Sequence, residues 1–471
     1  MIRTTRKILP LSLMLVLAGC SQMPNYEKPQ TDLPQTIGEI QQAPGLVIPE
    51  TEQAWWLQFD DATLQAMLDK ALERNADFNI AQQRLFQARA ALTQGRAEHW
   101  PSLQVQGGLG RQQTSDNAPQ APGAEFESYN LDGLISYEVD LWGRVRSNQL
   151  RLSAEYEAMQ ADTQALRLSL TSAVATSYFN LRALDQMVSI ARNTVSSRQE
   201  NLQLRQRQYE LGRLTQLAVQ QAEVELTRVE IELINLEQQR DVQRHALSLL
   251  VGDTPAQMVK ASQAEAGNGG FTDTEIPALH SDLASELLMR RPDIQAAEQR
   301  LIAANANIGV ARAALFPKLS LNGLIGVNSN SVDTLFDGNS TRWQAQAGLT
   351  APIFNAGSLR AQVQISEAEQ QIMLNQYQQT LRQAFAEALD ALNMHKRSER
   401  QLDVQQRQVI ALRSTLDLAQ KRFDSGYSSY LEVLDAQRTL FDAEVAMVTT
   451  KRNYLNASIE LYKALGGHWQ G

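Results

Sequence analysis

The chain has 471 residues, 43 % of them apolar and 20 % charged, which excludes wholesale disorder and a collagen-like fibre. Beyond the first twenty residues no uninterrupted apolar run approaches the roughly eighteen that a spanning helix needs, so a polytopic helical membrane protein is excluded too. With 43 Lys and Arg against 52 Asp and Glu the net charge is −9, the wrong sign for a phosphate-reading surface, and nucleic acid is not an expected partner. One cysteine permits neither an intrachain disulfide nor a multi-cysteine metal centre. The five histidines, His99, His245, His280, His395 and His468, lie far apart and form no HExxH motif, so no metal and no cofactor are expected.

The N-terminus reads as a secretory signal over residues 1–19. Arg3, Arg6 and Lys7 are basic, Ile8 to Leu17 is an apolar run too short to span, and small residues Ala18 and Gly19 precede Cys20. The string LAGC resembles a bacterial lipobox, whose cysteine is freed by cleavage and lipidated, with palmitate among its acyl chains. The competing reading is a buried free cysteine after an ordinary cleavage site. Ser21 stands where Asp would retain a lipoprotein in the inner membrane, so the expected place is the outer membrane, facing the periplasm.

Gly and Pro punctuate the rest of the chain. A helix is predicted from Asp77 to Trp100, ending before Pro101. Two strands follow, around Leu103–Leu109 and Leu131–Leu141. Arg144 to Leu211 then contains neither Gly nor Pro over 68 residues and reads as one helix of about 100 Å. Gly212 breaks it, and Arg213 to Val251 is a second such stretch of 39 residues. The series then repeats: a helix from Asp293 to Phe316, strands around Leu319–Val327 and Trp343–Ile353, a 68-residue stretch from Ser358 to Ser425, a break at Gly426, and 39 residues from Tyr427 to Leu465. Direct self-similarity supports a duplication, since 208–226 aligns with 422–440 and 247–253 with 461–467 at an offset of 214, and 99–105 with 315–321 at 216. The two shorter helices of each half, laid end to end, nearly match the long one. Apolar residues recur along the long helices at helical spacing, which argues for antiparallel coiled-coil packing.

The strands alternate apolar and polar residues with the apolar set at odd positions, as in Leu131, Ile135, Tyr137 and Val139. Each is about as long as a bilayer-spanning strand, and Trp100, Trp142, Phe316, Trp343 and Phe354 gather at their ends as an aromatic girdle would. The intervening segments 112–127 and 328–342 are rich in Gly, Pro, Asn, Ser and Asp and read as hairpin loops. A soluble sandwich with the apolar face as its core is the alternative. A membrane barrel needs at least about eight strands, because open edges are not tolerated in lipid. Four per chain therefore demand an oligomer, two chains for eight strands or three for twelve.

The DLWGR and FNAGSLR junctions at 140–144 and 354–360, with Pro101 and Pro317, the RRPDI string at 290–294 and the SYLEVLDAQRTL string at 429–440, resemble the TolC/OprM-type outer membrane factors over about residues 50–470. The similarity is strongest to the lipoprotein branch serving drug efflux. It implies an α+β fold: a homotrimer whose twelve-stranded β-barrel runs into a twelve-helix periplasmic α-barrel with a mixed equatorial collar. The division that goes with it is a lipid-anchored segment at 20–61, a first efflux repeat at 62–252, a collar linker at 253–280, a second repeat at 281–466 and a tail at 467–471. The implied function is a passive exit duct of a tripartite pump, with outer membrane lipid, a periplasmic adaptor (membrane fusion protein) and an inner-membrane pump of the resistance-nodulation-division type as partners, and no covalent chemistry.

Family constriction residues fall on Leu431, Glu432 and Asp435, spaced to share a helix face. Three copies would gather six carboxylates and three leucines, a ring that attracts cations. The adaptor would dock at the turns, on Gly212, Arg213, Gly426 and Tyr427. Ser428 and Phe423 stand where TolC carries the arginine and tyrosine of its polar lock, so closure is expected to rest on Leu431 and packing. The first repeat has Leu217, Ala218 and Gln221 at the gate positions, leaving one acidic hairpin per chain. A solvated tip charge at Asp435 and an ordinary core leucine at Leu431 are the plain alternatives for the gate. A periplasmic adaptor or coiled-coil scaffold lipoprotein is the competing function. An enzyme is disfavoured because no GxSxG, P-loop or clustered triad can be read.

Overall fold

The computed structural model describes residues 21–30, 36–37, 55–117, 119–262, 271 and 283–467. The principal helices and strands are, in chain order, α1 (Ala62–Arg74), α2 (Ala76–Ala97), β1 (Ser102–Gln113), β2 (Glu125–Val139), α3 (Arg144–Glu210), α4 (Gln216–Leu250), α5 (Pro255–Ser262), α6 (Pro292–Ala313), β3 (Lys318–Ser329), β4 (Thr341–Thr350), α7 (Ser358–Asp424) and α8 (Tyr430–Ala464). The repeat is visible in the lengths: α3 and α7 have 67 residues each, α4 and α8 have 35 each. A two-residue ladder pairs Thr36–Ile37 with Leu283–Ala284.

Helix ends differ from the sequence expectation for local reasons. The helices before Pro101 and Pro317 stop at Ala97 and Ala313, three residues short, and tighten into turns through Trp100 N→Ala97 O (3.0 Å) and Phe316 N→Ala313 O (3.1 Å). A residue preceding proline is pushed out of the helical region, and the last turn closes early. α4 and α8 start at 216 and 430 rather than just after the glycines, with Thr215 and Ser429 as N-caps. α1 was not anticipated, although its signal is present: Asp61 accepts from Thr63 N and Leu64 N (2.9 and 3.0 Å), and Leu64, Leu68 and Ala71 follow at buried spacing. β2 begins six residues before Leu131, and β4 ends at Thr350 rather than Ile353.

The chain forms two compact units. One comprises 1–30, 84–160 and 296–379 and holds the four-stranded sheet; the other comprises 31–83, 161–295 and 380–471. The core of the second unit gathers Trp55, Trp56 and Phe59 against Phe179 and the buried faces of α1, α3, α4 and α8, with Tyr178 Oη donating to Asp61 (2.7 Å). Equivalent pins fix both hairpins there. Asn75 donates to Leu250 O (3.0 Å) and Arg291 to Ala464 O (3.0 Å), and these two carbonyls are counterparts in the repeat. Arg291 also bonds Asp293 (3.0 and 2.7 Å) and Glu387 (2.7 Å), which gives the RRPDI string its structural purpose.

His395 on α7 is 4 % exposed, packs 5.0 Å from the Tyr454 ring of α8, and leaves Nε2 without a hydrogen-bond partner among the described residues. Burial pushes its pKa below the ordinary 6.5, with Glu399 opposing and Lys396 reinforcing the shift. The unfolded chain therefore takes up this proton where the folded chain refuses it, so stability falls as pH drops below about 6.5. Thermal unfolding between about pH 7.5 and about pH 5.5 is expected to lose more for wild type than for His395→Phe. Equal losses would show that His395 contributes nothing to acid sensitivity.

Candidate functional site

The sheet order is β1-β2-β3-β4, antiparallel throughout. Its register aligns Leu103, Ile135, Gly323 and Ala345 in one row and Gly133, Ile325 and Trp343 in another, so the odd positions share a face. That face is uncovered: Leu103 is 76 % exposed, Leu109 83 %, Ile325 68 % and Trp343 78 %. A sandwich core would bury these side chains, and no described element does. The opposite face is polar. Asp132 on β2 and Arg342 on β4 meet across β3 above Gly326, with Arg342 Nε donating to Asp132 Oδ1 (2.9 Å) and Asn130 Nδ2 to Oδ2 (2.9 Å). Ser136 Oγ donates to Asn322 Oδ1 (3.0 Å) on the same face.

At the foot of the strands Trp142 stacks on Phe316 at 4.6 Å and donates to Pro317 O (2.8 Å). Glu138 pairs there with Arg144 and Lys318, both at 2.7 Å. The segment 21–30 runs along α6, held by Lys28–Glu298 (2.8 Å) and by Asn305 donating to Pro24 O (2.9 Å). It ends beside Gly143, where Gln22 N bonds Trp142 O (3.4 Å). Cys20 and the signal segment 1–19 lie outside the described residues.

In the second unit both turns close in the same way. Gly212 (φ +68°) and Gly426 (φ +77°) take the left-handed conformation while Arg213 N bonds Gln208 O and Tyr427 N bonds Arg422 O, each at 2.8 Å. This is the Schellman closure that favours glycine, and it explains the break at both positions. Tyr427 is left 81 % exposed at the turn. Just beyond, Leu431, Glu432 and Asp435 lie on the exposed face of α8, whose other face buries Val433, Leu434 and Ala436. Leu431 is 61 % exposed, so within one chain it is not core. Glu432 has Arg422 as its partner at 3.9 Å.

The same region holds contacts that sequence reasoning missed. The Arg205 guanidinium on α3 lies 4.4 Å from the Tyr430 ring centre and 4.8 Å from that of Phe423, and Tyr430 Oη donates to Asn201 (3.0 Å). Burial holds the Tyr430 phenol above its ordinary pKa against the pull of Arg205. Arg438 on α8 pairs with Glu225 on α4, which is 3 % exposed and also has Arg228 at 3.3 Å. Phe423 thus packs in the Arg205–Tyr430 cluster, whereas Ser428 Oγ is buried without a hydrogen-bond partner among the described residues. No local pattern marks Arg205 as the partner of an aromatic ring more than two hundred residues away.

The family model for outer membrane efflux proteins matches residues 67–253 and 283–467. The chain belongs to the outer membrane efflux protein family. It is 33 % identical to the solvent efflux pump outer membrane protein SrpC of Pseudomonas putida over 98 % of both chains. It is 32 % identical to the cation efflux system protein CusC of Escherichia coli O157:H7, over 98 % of this chain and 99 % of that one. Among solved structures, the CmeC outer membrane channel of Campylobacter jejuni superposes with a TM-score of 0.85 at 27 % identity, covering 95 % of each chain. As an outer membrane efflux protein the chain acts by passage and is not an enzyme, and the strand and hairpin geometry above is the framework of that channel.

Proposed function

We propose that this efflux protein is the outer membrane exit duct of a tripartite system, passively conducting drugs or other small toxic compounds. The observation that carries this is the four-stranded sheet with an exposed apolar face, a polar face and two edges unpaired among the described residues. In lipid an unpaired edge is not tolerated. Three copies close the sheet into twelve strands with the apolar face outward, and Cys20, lipidated, adds an anchor at the foot of the strands. The flanking segments around the repeats build the collar. A periplasmic adaptor meets the turns at Gly212, Arg213, Gly426 and Tyr427, an inner-membrane pump of the resistance-nodulation-division type drives the cargo, and Leu431, Glu432 and Asp435 close the periplasmic end.

Replacing Cys20 by Ala behind a cleavable non-lipoprotein signal separates a barrel from a lipid-tethered scaffold. The protein is expected to remain in the outer membrane fraction and to need detergent for extraction. Release into the soluble periplasm would overturn the barrel and favour the scaffold or adaptor reading.

A further inference from the structure

A groove of about 370 Å³ lies between α3, α7 and α8 of the second unit, within the size range of small-molecule sites, and the duct reading makes no use of it. Its apolar lining comes from all three helices, with Ile190 on α3, Leu416 on α7, and Phe441, Met447 and Val448 on α8. Two polar side chains in this lining are more than nine-tenths buried, Arg198 at 8 % exposure and Gln437 at 9 %. Neither makes a side-chain hydrogen bond or an ion pair among the described residues, and Gln437 Oε1 is buried without a partner.

A buried guanidinium without a counter-ion is a costly arrangement, because the water it gives up is not replaced. Glu225 attracts Arg198 only from beyond ion-pair distance and already holds Arg438 and Arg228, and burial pulls the Arg198 pKa below its ordinary value. The other cation of the groove, Arg413, is taken up by Glu444 at 2.9 Å. One positive charge is therefore in excess among the groove's own residues. The helical scaffold does not require it: at the offset of 214 the counterpart of Arg198 is Leu412 and that of Gln437 is Glu223, so the other repeat packs with an aliphatic side chain and an exposed acid at these positions.

We propose that this groove binds a small organic carboxylate with an apolar body. The Arg198 guanidinium donates to both carboxylate oxygens, the pairing for which its planar fork is suited. The Gln437 amide and the Ser197 hydroxyl supply further hydrogen bonds, and the apolar body covers Phe441 and Met447. A monoanion matches the single excess charge, whereas a phosphate dianion would meet the Glu444 carboxylate with no second free cation to balance it.

Isothermal titration of the full-length protein, purified in detergent, with hydrocinnamate tests this, with heats from empty micelles subtracted. Saturable binding to one site per chain is expected. Hydrocinnamamide, which keeps the body and loses the charge, and acetate, which keeps the charge and loses the body, are each expected to bind at least about tenfold more weakly. Arg198→Gln is expected to weaken hydrocinnamate binding by at least about the same factor. Absence of saturable binding, equal binding of the amide, or unchanged binding by Arg198→Gln would overturn the proposal. Equal binding of acetate would overturn it too, since the groove would then recognise a bare carboxyl group such as an acidic side chain of a partner protein presents. The ligand comparisons use the unaltered chain and decide the matter even where Arg198→Gln does not fold.

Discussion

The Leu431→Ala/Asp435→Ala variant is expected to convert small single-channel steps of the purified protein in planar bilayers into steps several-fold larger. Leu431 is apolar and 61 % exposed on a face it shares with Glu432 and Asp435, an arrangement a single chain has no stabilising use for. On the proposed gate, leucines gathered from three copies would form a constriction that resists wetting, and the carboxylates would hold cations in what remains of the opening. Truncating Leu431 would then widen and wet the constriction, and removing the Asp435 carboxylate would weaken cation retention. The other face of α8, with Val433 and Leu434 buried, is untouched, so the hairpin itself keeps its packing. In cells the same variant is expected to admit antibiotics as large as vancomycin. Unchanged steps and unchanged sensitivity together would place the constriction elsewhere.

Gly326→Leu is expected to prevent assembly of the proposed trimer in detergent, with little protein recovered from the outer membrane. Gly326 sits between Asp132 and Arg342 in one cross-strand row, and these two side chains meet over it. A Cβ at this position collides with the carbonyl oxygen of Leu131, a backbone atom, as well as with the Asp132 carboxylate. Rotamer changes relieve a clash with a side chain but not one with the backbone of the adjacent strand, so β2 and β3 must separate locally. Gly348→Leu is the control, since nothing lies within 4 Å of a Cβ there, and it is expected to assemble normally. Measured by gel mobility before and after heating, an intact Gly326→Leu oligomer would show that the row is not closely packed in the assembled barrel.

Much of this architecture was legible beforehand because its signals are local. The period of two placed Leu103, Ile135, Ile325 and Trp343 on one face before any register was known, and the register put them there. Absence of Gly and Pro marked α3, α4, α7 and α8, while the glycines between them supply the positive φ of the turns. Helix ends were less legible, since proline effects and the Schellman closure shift them by up to three residues. α1 went unread although Asp61 carries a cap signal, because thirteen residues of modest periodicity stand out poorly beside helices of 67.

The sequence by itself determined the duplicated unit, the strand faces, the helix lengths and the shared face of Leu431, Glu432 and Asp435, because each depends only on spacing along one element. Only the tertiary structure decided which residues meet across elements: Arg205 with Tyr430, Arg438 with Glu225, Asp132 with Arg342 over Gly326, and Asn75 and Arg291 with the last carbonyls of α4 and α8. The partners in each case are separated by more than 170 residues, as in Asn75 and Leu250 or Arg291 and Ala464. Their approach is set by the register of helix on helix and strand on strand, which is a property of the packed whole, and no periodicity within either partner's own element encodes it.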